Sequence, residues 1–121
     1  MTLDTGALIA LKRRSQRMRR LFDTARQDNL RIVVPADVVA EWWRGRTDLR
    51  DAILASVHVE ALTTALAKVA GEALAATRGA SSVDAIVMAS AALRGSVVFT
   101  SDIDDQTRLQ QHFPGVRVLA V

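Results

Sequence analysis

The sequence predicts an α/β fold in which a short, mostly parallel sheet lies between helices on both faces. Apolar runs of strand length alternate with longer segments of helical periodicity. The strand runs are almost uninterrupted apolar residues, as in "RIVV" and "SVVFT", which is typical of strands buried on both faces. No Pro-, Gly- or Ser-rich linker divides the 121 residues, so we expect one domain over residues 1–121.

The first elements are a strand and two helices. "TLD" at 2–4 predicts a strand stub, and a helix begins at Ala7 and ends near Ser15, whose hydroxyl can cap a second helix. Apolar residues of the second helix recur at helical spacing, which gives it one buried stripe and turns its arginines outward. The stripe consists of Met18, Leu21, Phe22 and Ala25.

The middle of the chain continues the alternation. "RIVV" at 31–34 predicts a buried strand, after which Pro35 opens a helix through Trp43 that Gly45 can end. Further elements are then expected in order: a short helix over 48–55, a strand at 57–62, a helix over 65–77 capped by Thr63 or Thr64, a helix over 83–94 ended by Gly95, a strand at 96–100, a helix over 104–113 and a strand at 116–121.

Positive charge is concentrated in one segment. The chain has a net charge of +3, but residues 12–31 carry +6 and the rest of the chain carries −3. Fourteen of the 16 basic residues are arginines, whose planar guanidinium pairs with phosphate or carboxylate through two hydrogen bonds. A polyanion or an acidic protein partner would suit this segment, and a merely solvated helix face is the simpler alternative.

Composition restricts the chemistry to carboxylates. The chain has no cysteine, which excludes disulfides, zinc–thiolate sites and a thiol nucleophile, and its two histidines, His58 and His112, are far apart in the sequence. No apolar run approaches the roughly 20 residues of a membrane span, and the N-terminus lacks the charge order of a secretory signal. We expect a soluble, cytoplasmic protein.

Four acids are predicted to converge. Asp4 ends the first strand and Asp102 follows the fourth. Glu41 lies one to two turns into the helix after the second strand, and Asp84 lies in the first turn of the helix that precedes the fourth strand. Ligands of open parallel sheets bind outside the carboxyl ends of the strands. Helix capping and surface ion pairs could explain each acid singly, but they give no reason for all four to meet.

Clustered carboxylates repel each other unless a cation relieves them. Mg²⁺ or Mn²⁺ takes oxygen ligands, so either ion would suit an acidic cluster without cysteine or a histidine pair. Such an ion activates water and stabilises charge on phosphoryl oxygens, which predicts hydrolysis of a phosphodiester while the arginine-rich segment holds the polyanion.

The chain also resembles the PIN-domain ribonucleases, in particular the VapC-type toxins of bacterial toxin–antitoxin pairs. The resemblance implies a Rossmann-like PIN fold, an endoribonuclease that depends on Mg²⁺ or Mn²⁺, a homodimer, and neutralisation by a small VapB-like antitoxin. The motifs that carry it are "LDTGALIAL", "VPADVVAEWWRG", "SSVDAIVMASAALRGSVVFTSDIDDQTRL" and "VRVLAV".

The resemblance also assigns roles to residues. The catalytic acids correspond to Asp4, Glu41, Asp84 and Asp102. The expected metal ligands are Asp4, Asp84, Asp102 and Asp105, with supporting roles for Thr5, Ser101 and Asp104.

The candidate contacts with RNA or antitoxin are four arginines and two adjacent tryptophans. Trp42 and Trp43 cannot both face the core from neighbouring helix positions, so at least one is expected at an antitoxin or dimer contact, with base stacking and half-buried packing as alternatives. The arginines are Arg13, Arg14, Arg17 and Arg44.

Two other functions use the same acids or the same fold. A PIN-like nuclease could act on DNA or in RNA maturation, and only substrate profiling separates it from a toxin. A PIN-like module could instead bind nucleic acid or protein without cleavage, although such a module gains nothing from clustered, repelling carboxylates.

Overall fold

The structure is a computed structural model that describes all 121 residues. Five strands form one sheet in the order β3-β2-β1-β4-β5, and every neighbouring pair is parallel. The strands are β1 (Thr2–Leu3), β2 (Val33–Pro35), β3 (His58–Glu60), β4 (Val97–Thr100) and β5 (Arg117–Ala120). The predicted α/β fold is confirmed.

Seven helices connect and cover the strands. They are α1 (Thr5–Lys12), α2 (Gln16–Gln27), α3 (Ala36–Trp42), α4 (Asp48–Ala55), α5 (Thr64–Ala76), α6 (Ser82–Arg94) and α7 (Ile103–Gln110). Each expected helix and strand is present in the expected order. No helix combines the length and the apolar composition needed to cross a lipid bilayer.

Side-chain caps set several helix boundaries. Asp4 caps α1, with its Oδ1 accepting the N–H of Ala7 at 2.8 Å, and this bond starts the helix at Thr5 rather than at the expected Ala7. Gly95 closes α6 in the left-handed region at φ 62°, as the sequence predicts. Gly45 does not cap α3, because the chain already becomes extended at Trp43.

The core is a single cluster of 26 buried hydrophobic residues, with α6 at its centre. Every residue from Ala85 to Ala91 is buried, so α6 is enclosed on all sides along this stretch. Helix α2 buries Met18, Phe22 and Ala25, packs the partly buried Leu21 against the core and exposes its arginines, which confirms its predicted stripe.

The strand order determines where the acids lie. Strand β1 occupies the centre of the sheet between β2 and β4, so the chain departs on opposite sides of β1 and leaves a crevice at its carboxyl end. Asp4 and Asp102 therefore follow neighbouring strands, and the N–H of Asp4 donates to the carbonyl of Phe99 on β4 at 3.3 Å.

Candidate functional site

Asp4 is the most deeply buried acid of the site. It leaves the end of β1 and is only 6% exposed. Burial raises its pKa and the charge of Asp84 raises it further, while hydrogen bonds to Thr100 and to the N–H of Ala7 act in the opposite direction. The surroundings of Asp4 therefore disfavour the ionised form of its carboxyl group.

Asp84 joins the acids of the site electrostatically. It lies in the first turn of α6, whose N-cap Ser81 accepts its N–H at 3.1 Å. Burial raises its pKa most, and the charges of Asp105, Asp102 and Glu41 each raise it further, whereas a hydrogen bond with Ser81 lowers it. The charge of Asp84 in turn raises the pKa of Asp4, so the five carboxylates form one electrostatic cluster. We call this cluster the acid rim; it consists of Asp4, Glu41, Asp84, Asp102 and Asp105.

Asp102 and Asp105 lie at the start of α7. Asp102 is its N-cap and is exposed, and its Oδ1 accepts the N–H of Asp105 at 3.4 Å. Asp105 forms an ion pair with Arg108 one turn later, which lowers the pKa of Asp105. Asp104 is exposed in the same turn.

Ser101 lies where two turns meet. A Cβ atom on Gly6 would stand 1.9 Å from Ser101 Oγ and 3.0 Å from its backbone nitrogen, so a glycine is required there. The absence of a side chain at Gly6 allows the turn after β1 to contact the turn after β4. This contact brings the segments that carry Asp4 and Asp102 together.

Glu41 approaches the rim from α3. Its Oε1 accepts the hydroxyl proton of Thr5 at 2.5 Å, which ties α3 to the first residue of α1. The alternative of a surface pair with an arginine is not observed. Arg44 donates to the carbonyls of Ala40 and Trp43 instead.

The acid rim matches a hard divalent cation in its chemistry but not yet in its geometry. All five side chains offer carboxylate oxygens, the ligands that Mg²⁺ and Mn²⁺ prefer. Burial and then mutual repulsion raise the pKa of Asp4 and Asp84, and a bound cation would favour the ionised form of both. However, no three acidic or histidine side chains stand in an arrangement that could hold a metal ion. The carboxylates bond protein groups instead, so metal binding requires some of these bonds to be exchanged.

The predicted basic contacts divide between two cavities. Arg13 and Arg44 line a cavity that also contains Glu41, next to the acid rim. Arg14 lines a different cavity, formed by α1, α2 and α4. Arg17 is exposed on α2 and lines neither cavity. Only part of the arginine-rich segment therefore adjoins the acids.

The two tryptophans have different environments. Trp42 is 4% exposed and belongs to the hydrophobic core, whereas Trp43 is half-buried and meets it edge to face at a centroid distance of 6.3 Å. The expectation that they cannot both face the core is confirmed. The predicted contact role of Trp42 is corrected, because a ring with so little accessible surface is a packing residue, and Trp43 is left as the candidate.

Two residues near the site are absent from the sequence prediction. Gln106 is fully buried, and its Nε2 donates to Asp84 Oδ1 at 3.0 Å while its Oε1 has no partner. Arg50 is buried beside the cavity that contains Glu41. Gln106 lies three residues before the buried Leu109, and Arg50 lies three residues before the buried Ile53, so both occupy positions of an apolar stripe. A polar residue at such a position is the sequence signal that could have identified them.

Comparison with known proteins identifies the fold. The family model described as "PIN domain" matches residues 1–110. The solved structure of VapBC2 from Rickettsia felis bound to a promoter DNA fragment is similar over 99% of this chain and 97% of that one, with a TM-score of 0.78 and 13% identity. The structure of FitAB bound to the IR36 DNA fragment is similar over 98% and 93%, with a TM-score of 0.67 and 19% identity. No curated protein matches the chain significantly in sequence.

Proposed function

Because the chain belongs to the PIN domain family, we propose that it is a metal-dependent endoribonuclease and the toxin of a toxin–antitoxin pair. The acid rim carries this proposal. Five carboxylates collect near the carboxyl ends of β1 and β4. Burial and neighbouring negative charge raise the pKa of two of them, buried Asp4 and half-buried Asp84. A fold gains no stability from such a cluster, so its retention favours a function in which a cation is bound.

Asp4, Asp84, Asp102 and Asp105 are the residues that would hold Mg²⁺ or Mn²⁺. When bound, the ion supplies an activated water and stabilises negative charge on the phosphoryl oxygens. Buried Asp4 follows β1, half-buried Asp84 lies in the first turn of α6, and exposed Asp102 caps α7, so the ligands would come from three different elements.

The remaining polar residues orient the reactants. Glu41, held by the Thr5 hydroxyl, positions the attacking water at the edge of the rim. The water attacks in line, and the phosphodiester breaks to leave a 5′-phosphate and a 3′-hydroxyl. Ser101 and Asp104 are exposed beside the rim and support the water or the ion from there.

The proposed partners follow from the family and from the structural relatives. The relatives are the assemblies VapBC2 and FitAB, each solved on DNA. By analogy, this chain would form a homodimer in the cytoplasm and would be neutralised by a small VapB-like antitoxin. The half-buried Trp43 and the exposed arginines Arg14 and Arg17 are the surface residues available for such a contact.

The test is cleavage of total bacterial RNA by the purified chain with Mg²⁺ or Mn²⁺, with the RNA ends read by sequencing. Discrete cuts should disappear with EDTA and in Asp102→Asn, and they should persist in Asp28→Asn, which removes an acid at the far end of α2. Single- and double-stranded DNA form a parallel arm. Cutting of DNA alone would replace the ribonuclease with a DNA nuclease, and cutting of neither would reject nuclease activity for these substrates.

A non-catalytic binding module is the second candidate. The observation in its favour is that Glu41, Asp84 and Asp105 already pair with Thr5, Gln106 and Arg108. Calorimetric titration with Mn²⁺ separates the two candidates. A nuclease must bind Mn²⁺ and lose this binding in Asp84→Asn, whereas a folded protein that binds no Mn²⁺ would be a binding module.

A further inference from the structure

A small basic cavity adjoins the acid rim on the side of α1 and α3. It has a volume of about 320 Å³, at the lower end of the range for ligand pockets. Four basic residues line it: Lys12, Arg13, Arg44 and Arg50. Its single acid, Glu41, belongs to the acid rim and is bonded to Thr5, so the cavity and the rim share a wall.

Arg50 is buried in this cavity without a counter-charge. The residue is 9% exposed, and no carboxylate lies within ion-pair distance of its guanidinium. Its Nη1 donates to the carbonyl of Gly45 at 3.2 Å, and its Nε is buried with no partner. The guanidinium carbon lies 6.0 Å from the centroid of the Trp42 ring, which offers only weak cation–π stabilisation.

Other arginines of the chain show that this arrangement is not forced by composition. Arg46, four residues earlier, is exposed and pairs with Asp51 at 2.8 Å and with Asp48 at 3.5 Å. The partly buried Arg94 pairs with Glu60. A buried charge left unpaired is strongly destabilising, so an unpaired arginine surrounded by further cations points to an anion that comes from outside the chain.

We propose that this cavity is a phosphate-binding subsite that holds a backbone phosphate of single-stranded RNA beside the acid rim. The proposal rests on the proposed nuclease function, since it describes how the same site would hold its substrate. The planar guanidinium of Arg50 pairs with a phosphate through two hydrogen bonds and supplies its Nε–H as one of the donors. The exposed side chains of Lys12, Arg13 and Arg44 complete the anion's surroundings from the rim of the cavity.

Position favours a phosphate over the carboxylates of an acidic protein. The cavity shares Glu41 with the rim at which the scissile phosphodiester must lie, so a phosphate in the cavity belongs to a nearby nucleotide of the same strand. A volume of about 320 Å³ suits a phosphate and part of its nucleotide rather than a folded peptide segment. The subsite would thus fix the direction in which the strand crosses the rim.

The first measurement follows the Nε–H resonances of the arginines by NMR in EDTA, so that no RNA is cut. The probes are a ten-nucleotide single-stranded RNA, inorganic phosphate and a hexaglutamate peptide, and Arg50→Lys identifies the Arg50 signal by its loss. RNA and phosphate should shift the Arg50 signal and leave that of Arg46 in place. A shift with hexaglutamate but not with RNA or phosphate would overturn the proposal in favour of an acidic protein partner.

The second measurement is RNA affinity as a function of salt, again in EDTA. Arg50→Gln and Arg44→Gln should each weaken binding about tenfold and reduce the salt slope by about 0.7, the value for one phosphate contact on a single strand. Arg46→Gln is the matched control, since Arg46 lies between Arg44 and Arg50 in the loop before α4, and its affinity and slope should stay at wild-type values. Arg44 is exposed, so its variant keeps the test valid if Arg50→Gln does not fold.

The failure of this proposal is distinguishable from the failure of the nuclease. If the metal-loaded protein cuts RNA but RNA never shifts the Arg50 signal, the subsite is refuted and the nuclease stands. If RNA shifts Arg50 and the metal-loaded protein never cuts, the nuclease is refuted and the subsite stands as part of a binding module.

Discussion

The two ends of α6 carry charge in opposite ways. At its last turn, Arg94 pairs with Glu60, and Ser90 both donates to Glu60 Oε1 at 2.6 Å and accepts from Arg94 at 2.7 Å. Arg94 also donates to Thr2 at 3.1 Å, which ties the helix to β1. At its first turn, Asp84 has no cationic partner, and its pKa is raised by burial and then by the charges of Asp105, Asp102 and Glu41.

Both ends satisfy the helix dipole, since an acid at the N-terminus and a base at the C-terminus are each favourable. The dipole therefore does not explain the difference between them. We call the last turn, where Arg94 pairs with Glu60, the balanced end, and we expect this pair to stabilise the fold. We call the first turn, with Asp84, the unbalanced end, and we expect its charge to become favourable only when a cation binds. The comparison shows that charged residues alone do not mark the site. What distinguishes it is charge that has no partner of opposite sign within the protein.

The largest expected effect comes from removing the charge at the unbalanced end. In Asp84→Asn the amide oxygen still accepts from Gln106, but one of the proposed metal ligands is lost. Activity should fall at least about 100-fold, beyond the 10–100-fold typical of residues that only support metal ligands. The melting temperature in EDTA should rise, because a repelled charge is gone.

Measurements of RNA cleavage and of thermal unfolding on the same preparation check both parts. A variant with lost activity and a lowered melting temperature would break the comparison, because Asp84 would then be stabilising the fold in the absence of metal.

The next largest effect belongs to the balanced end. Arg94→Met leaves the partly buried Glu60 without its cationic partner, although Ser90 still donates to it, and the free energy of unfolding should fall by about 2 kcal/mol, less than for a fully buried pair. Urea unfolding measures this loss. The surface control Arg46→Met should change it by less than about 1 kcal/mol.

A double variant sharpens the same point. Adding Glu60→Gln to Arg94→Met should recover part of the loss, because the stranded carboxylate is then removed. If the double variant is no more stable than Arg94→Met, the cost lies in lost packing of the arginine stem and not in unpaired charge.

The strands at the site and the acids that follow them could be predicted from the sequence, because these follow from local patterns. That β1 and β4 are neighbours was only a condition of the prediction, and the sheet order meets it. Apolar runs place β1 and β4, and an acid after each run is visible without any structure. Side-chain partners do not follow from local patterns. The pairing of Asp105 with Arg108 and of Glu41 with Thr5 depends on rotamers that tertiary contacts select.

The burial of polar side chains was the main feature that could not be predicted from the sequence. Trp42 is in the core, while Arg50 and Gln106 occupy stripe positions that the helical pattern reserves for apolar residues. A polar residue at such a position is normally assigned to the solvent face, so the helical pattern alone gives no reason to single out Arg50 or Gln106.

An effect of intermediate size is expected from Gln106, whose side chain donates a hydrogen bond to Asp84. Gln106→Leu removes the donor to Asp84 and also the unpaired Oε1, so stability should change little. Loss of that donor should raise the pKa of Asp84 and move the acidic limb of the activity–pH profile to higher pH. Activity at neutral pH should drop about tenfold, at the low end for residues that support metal ligands.

The matched control is Gln110→Leu, one turn later on α7. Gln110 donates to the carbonyl of Val116 at 2.7 Å, away from the acids. Its loss should cost stability without moving the pH profile. An unchanged profile in Gln106→Leu would show that Gln106 fills space and does not position Asp84.

The smallest effect is expected for Asp4→Asn in EDTA. Asparagine keeps the cap on Ala7 but cannot ionise. Because folding raises the pKa of Asp4 above the ordinary value of 3.8, wild-type stability is highest below that value and falls as the pH rises through the folded-state pKa. The variant should therefore melt a few degrees higher than the wild type at pH 7 and at nearly the same temperature near the ordinary pKa.

Mn²⁺ should reverse the order at pH 7, because the ion stabilises only a protein that retains the carboxylate. A variant that melts lower at pH 7 in EDTA would mean that charged Asp4 stabilises α1 more than its burial costs, and the imbalance at this end of the sheet would then rest on Asp84 alone.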